Sequence, residues 1–268
     1  MSKLQKLLKA AKLIMQNPAL LNKVLDAPEV NKNELKQKYG VKNGLKTVQI
    51  NDLLPNLNET IEPFSFLDGG STPLDLVLLK GLAKRFEACE YFEIGTWRGE
   101  SVANVANIAK HCTSLNLSDE AMLAMGLDKK YIESHRFFSN KLSNVTHLQG
   151  NSSTFDYTSL TKKFDLIFID GDHHYESVKS DTINAFKLLK NEKSIIVWHD
   201  YGNTPTDVRW DVLKGILDGT PSNNKNNLYH VSNTLSAIYT TENIKASFVA
   251  LFEYPSYYFS AEIKLKAL

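Results

Sequence analysis

Cysteine is scarce in this chain: two residues, Cys89 and Cys112, in 268. Two thiols cannot build a four-ligand zinc site alone, and both sit in apolar sequence, so a reducing, cytoplasmic setting is predicted. No apolar run approaches the length of a membrane span. Lysines at 3, 6, 9 and 12 interrupt the first residues, which leaves no secretory apolar region, and the first arginine is Arg85, against a transit peptide. Excess charge of either sign is missing too. A net charge of +1, with 23% charged residues, gives no broad electrostatic case for nucleic acid or acidic polymers. Internal repeats and low-complexity tracts are absent. The length suits one α/β domain with an N-terminal addition and a sizeable core.

The most informative stretch is Glu93-Ile-Gly-Thr-Trp-Arg-Gly-Glu-Ser101. Residues 90–94 read as a short buried strand, and 101–110 carry apolar residues at helical spacing. A strand, a glycine-containing turn and a helix together set a ligand over a helix N-terminus. A dinucleotide fingerprint G-x-G-x-x-G requires glycines at 95, 97 and 100, but Trp97 and Glu100 occupy the last two. They would obstruct and repel a pyrophosphate. A cationic ligand without phosphate does not need that approach and would favour Glu93.

On these residues the chain resembles the class I S-adenosylmethionine-dependent methyltransferases, in which an acidic-x-G-x-x-x-G turn follows the first strand. The form EIGTWRGES is most similar to the branch of metal-dependent sugar and antibiotic-tailoring O-methyltransferases. The resemblance implies a doubly wound, mostly parallel, seven-stranded Rossmann-like α/β sheet closed by an antiparallel hairpin. It also implies S-adenosylmethionine as cofactor, contacted by Glu93, Gly95, Thr96, Trp97, Gly99 and Ser101. The division that follows is a helical N-terminal extension and linker over 1–63 and a methyltransferase domain over 64–268.

The remaining sites follow the order of the chain. Asp119, 26 residues after Glu93, is placed to accept from ribose hydroxyls past the second strand; alternatively Ser118 caps a helix and the acids favour its positive end. In the family the turn at Gly150-Asn-Ser152 flanks the adenine, through Asn151 or Ser152; a plain Asx-turn is the other reading. Phe164-Asp-Leu-Ile-Phe-Ile169 is the clearest strand, followed by Asp170-Gly-Asp-His-His-Tyr-Glu176. Ser194–Trp198 is the next, ending in His199-Asp200. Parallel strands bring these ends to one edge, so carboxylates and imidazoles converge there. Asp170 and Asp200 are hard oxygen ligands suited to Mg²⁺ or Mn²⁺. The resemblance makes Asp170 a metal ligand and possible cofactor contact, Asp172 the general base, and His199 with Asp200 the remaining metal pair. His199 stands where the branch has an acid, which shifts preference toward Mn²⁺, Fe²⁺ or Zn²⁺ and leaves open metal-free use of His199 as the base.

The function implied is O-methylation of a hydroxyl on a small molecule or glycoside. A non-catalytic binding module of the same fold and a metal-dependent hydrolase using the Asp/His cluster are the alternatives. No D/N-P-P-Y/F motif follows the fourth strand, against amino-methylating enzymes. Leu4, Leu7, Leu8, Ala11 and Ile14 make an apolar stripe on a lysine-rich helix. That stripe points to docking on its own domain, to a homo-oligomer, or to a membrane surface. A second helical piece is expected over 18–25, a linker over 32–46, a helical stretch over 128–142, and late β-structure over 228–240 and 247–259.

Overall fold

The computed structural model describes residues 1–21, 28–249, 254 and 256–267. Among the described residues nine strands form one sheet: β1 (Thr47–Val48), β2 (Glu90–Ile94), β3 (His111–Asn116), β4 (Val145–Gln149), β5 (Leu166–Ile169), β6 (Ile195–Trp198), β7 (Leu228–Val231), β8 (Ala237–Tyr239) and β9 (Ala246–Ser247). Their spatial order is β4-β3-β2-β5-β6-β8-β7-β1-β9. β2 to β6 run parallel, and β8 is antiparallel to both β6 and β7. The expected seven-stranded, doubly wound sheet is therefore present from β4 to β7. The order reverses beside β2, which opens a crevice at the carboxyl ends of β2 and β3 on one side and β5 on the other.

The strands alternate their side chains between two cores. Phe92, Ile94, Ile167, Ile169, Ile196 and Trp198 face the layer containing the Tyr175–Leu188 and Trp210–Gly219 helices. Tyr91, Leu166, Phe168, Ile195 and Val197 face the Pro73–Ala83 and Glu100–Ala106 helices. Burial on both faces explains why 166–169 and 195–198 are unbroken apolar runs instead of alternating ones.

One expectation for the N-terminal region is corrected. The polar stretch expected as a linker over 32–46 contains much of a helix, Pro28–Tyr39, whose Leu35 enters the core. Lys214 of the Trp210–Gly219 helix donates to its Asn31 at 3.1 Å. Further on, β1 pairs in parallel with β7 and carries β9 antiparallel on its other side, and Val48, Ile50 and Leu53 join the second core. Residues on both sides of position 63 share this packing. Residues 3–16 form a helix with no buried residue. Of the piece expected over 18–25, residues 22–25 lie outside the described residues.

Two further segments differ. The helical stretch expected over 128–142 is one short helix, Lys129–Glu133, followed by turns. The late β-structure is the β7–β8 hairpin plus the two residues of β9; the described residues of 248–259 form no strand.

Candidate active site

The β2 turn is built by close backbone approach. Gly95 has φ +92°, and a Cβ there would lie 2.1 Å from the carbonyl oxygen of Asp170. Only glycine lets the turn cross the end of β5 so closely. Gly99, φ +80°, starts the Glu100–Ala106 helix. Glu93 is wholly buried; Tyr91 donates to it at 2.7 Å and Thr96 at 3.2 Å. Burial first, and the neighbouring charge of Asp170, push its carboxyl up to about 7, while bonds from Tyr91, Ser101 and Thr96 oppose the shift. Glu93 thus fixes the turn through Thr96 and Ser101 while its oxygens are already engaged.

The side chains in place of dinucleotide-type glycines hold neighbouring segments. The Trp97 indole donates to Ser134 at 3.3 Å and packs 5.5 Å from the Tyr131 ring. Arg98 donates to the carbonyls of Leu67 and Asp68, both at 3.0 Å, and Glu100 accepts from the Ser65 amide at 2.6 Å. A strap over 65–71 is drawn onto the crevice, where Ser71 lies 3.5 Å from Asp170. The 131–138 segment is joined to the same turn by the Arg136 amide on the Trp97 carbonyl at 2.6 Å.

Asp119 lies three residues beyond the end of β3 and pairs with Arg136 at 2.6 Å, while Ser118 caps its helix by accepting from the Ala121 amide. The residue that ends β3 is Asn116, whose carboxamide accepts from the Thr96 amide at 3.3 Å. Asn151 forms an Asx-turn with the Ser153 amide. Ser152 faces Asp181, a wholly buried carboxyl that burial first, then the charge of Asp172, push up to about 6.

The acidic edge forms one cluster. His199 is buried at the end of β6. Its Nδ1 lies 3.1 Å from Asp170 Oδ1 and 3.3 Å from Asp200 Oδ2, and its Nε2 lies 3.3 Å from Asp75 Oδ2. His173 Nε2 reaches the same Asp200 oxygen at 3.1 Å. Burial would lower the imidazole, but Asp170 chiefly, then Asp200 and Asp75, hold it well above its ordinary value. The surrounding carboxylates thus favour the protonated imidazole. Asp200 sits at φ +57°, unusual for a non-glycine residue, and so turns its carboxylate back toward both histidines.

Asp75 is the residue that sequence reasoning missed. It forms a capping box with Thr72 in the first turn of the Pro73–Ala83 helix and has no exposed surface. Besides His199 it accepts from the Thr72 amide and hydroxyl, the Leu235 amide and the Ser236 hydroxyl. A carboxylate fixed this way orients one imidazole nitrogen and aims the other at a ligand, the usual support of a metal-binding histidine.

The donor set fits a divalent cation. Ligand atoms of Asp170, His173 and Asp200 lie within 4.8 Å of one another. Two ligands at right angles on an ion with bonds of about 2.1 Å are about 3 Å apart. His199, which contacts Asp170 at 3.1 Å and Asp200 at 3.3 Å, lies beside that trio. Asp172 stands outside the cluster, accepting from His174 and from Ser177 at 2.8 Å. Burial would raise its carboxyl, but these bonds hold it below the usual range.

A family model described as a methyltransferase domain matches residues 92–201, from β2 through the cluster. Over that segment the chain is similar to a methyltransferase domain. An uncharacterized protein of Acanthamoeba polyphaga mimivirus is 29% identical to this chain over 148 residues, 53% of the chain and 64% of the viral protein. The chain thus spans less than two thirds of that relative's length. Among solved structures, a Staphylococcus aureus protein provisionally assigned as a caffeoyl-CoA O-methyltransferase aligns with TM-score 0.47 and 20% identity, over 71% of this chain and 97% of that one. A Bacillus cereus O-methyltransferase in complex with S-adenosylhomocysteine aligns with TM-score 0.41 and 16% identity, over 78% and 96%.

Proposed function

We propose that the protein transfers the methyl group of S-adenosylmethionine to a hydroxyl of a small molecule or glycoside, assisted by a divalent cation. The observation that carries this reading is the shared edge of turn and cluster. Gly95 packs on the backbone of Asp170, so a cofactor seated on the turn lies beside Asp170, His173, His199 and Asp200.

Those four residues would hold the ion, with Asp75 orienting His199. Two imidazoles and two carboxylates favour Mn²⁺ or Fe²⁺ over Mg²⁺. A bound ion would supply charge to the acceptor oxygen and lower the pKa of its hydroxyl. Asp172 remains ionised beside the cluster and takes the hydroxyl proton. The strap over 65–71 and the segment over 131–138 border the turn and keep water from the sulfonium.

Titration calorimetry with S-adenosylhomocysteine, NAD and Mn²⁺ tests the proposal. Binding of S-adenosylhomocysteine and Mn²⁺ without NAD is expected. Binding of NAD alone would overturn it, and full turnover in excess chelator would remove the cation from it.

A further inference from the structure

The helix Lys3–Gln16 is built to stand, yet none of its residues is buried and only Ile14 is partly covered. Ser2 and Gln5 form a complete capping box at its start. Every one of its residues escapes burial, and Leu4, Leu7 and Leu8 are 65%, 66% and 63% exposed. Docking on its own domain is therefore not how its apolar face is covered. At 100° per residue, Leu4, Leu7, Leu8, Ala11 and Met15 fall in a sector of about 100°, while Lys3, Lys6, Lys9 and Lys12 spread over the other side. Leu13 alone lies among the lysines.

The charge says what covers the stripe. The sequence KLQKLLKAAKLIMQ contains four lysines and no acid. Among the described residues, none of these lysines is in an ion pair or hydrogen bond through its side chain. A second copy of the helix packed on the stripe would set lysine flanks against each other with no carboxylate between them. An anionic surface with an apolar interior satisfies both faces at once. We propose that this helix lies in the interface of a membrane rich in anionic lipid. Leu4, Leu7, Leu8 and Met15 enter the acyl boundary, and the lysines contact the headgroups.

The test is co-sedimentation of the full chain with phosphatidylcholine vesicles, with and without about one third phosphatidylserine. Binding to the anionic vesicles only is expected, weakening in high salt. Replacing Leu4, Leu7 and Leu8 by Gln should abolish it, whereas Leu13→Gln should leave it nearly intact. Each Lys→Gln change at 3, 6, 9 or 12 should weaken it about fivefold. None of these variants should shift the melting temperature, because the helix buries no side chain. No binding to anionic vesicles, or equal binding to both kinds, would overturn the proposal. So would a dimer in light scattering that Leu7→Gln dissolves without any change in lipid binding.

Discussion

Replacing Asp75 by Asn separates its structural role from its role toward His199. One carboxylate oxygen accepts from the Leu235 amide and the Ser236 hydroxyl, each at 2.9 Å. The other accepts from the Thr72 amide at 2.9 Å and the Thr72 hydroxyl at 2.6 Å, and faces His199. A carboxamide retains one of these oxygens and presents a donor in place of the second. With its oxygen kept toward Leu235, the amide group meets the Thr72 N–H and the His199 N–H, and both buried donors lose their acceptor. At about 1–3 kcal/mol each, the cost is about 2–6 kcal/mol, or roughly 5–20 °C in melting temperature for a domain of this size. Loss of the partner that orients a metal-binding imidazole should also weaken Mn²⁺ about 10–100-fold. The stability gap depends on pH. The raised His199 contributes fully below about 6.5 and loses its contribution as pH rises through its folded-state pKa. Asp75, lowered chiefly by His199 against the opposing effect of burial, contributes fully above about 3.8 and fails in acid. The gap between wild type and variant should thus be widest between these limits and narrow on both sides. Melting curves over pH, with Mn²⁺ titrations of both proteins, check it. A variant that melts lower yet binds Mn²⁺ with unaltered affinity would reduce Asp75 to a helix cap.

Asp172→Asn should slow turnover about 10²–10⁴-fold with S-adenosylhomocysteine affinity near normal, read by initial rates and calorimetry. Asp170→Asn and His173→Gln should each raise the Mn²⁺ concentration needed for half-maximal activity. Because His199 must release a proton to bind the ion, wild-type Mn²⁺ affinity should rise about tenfold per pH unit below its pKa. Gly95→Ala adds a Cβ 2.1 Å from the Asp170 carbonyl at φ +92°, so it should lower both stability and S-adenosylhomocysteine affinity, as followed by thermal melting with and without that ligand.

What could be read in advance depended on how local its cause was. β5 was legible because burial on both faces leaves an unbroken apolar run, and the turn because glycine spacing answers to backbone geometry. The carboxylate and imidazole edge was legible because parallel strands bring their ends together. Asp75 was not, since Thr72-Pro-Leu-Asp75 carries every sign of a helix cap and His199, its second partner, is 124 residues away. The Pro28–Tyr39 helix was hidden by its polarity: Leu35 is its one buried apolar residue among those described. Asn116 gave no signal, because a carboxamide at a strand end looks like any turn residue. β1 was hidden by its length, two residues with no period of their own.

The pairing of β1 with β7 sets a timetable for synthesis. Thr47 meets His230 across 183 residues of chain. At about 5–20 residues per second, the ribosome needs about ten to forty seconds to make the second after the first. Through that interval Val48, Ile50, Leu53 and Leu54, all buried in the finished protein, have no β7 to pair beside. The newborn chain thus carries a greasy, unpaired strand until Leu228–Val231 emerges, and that is where a chaperone would find it.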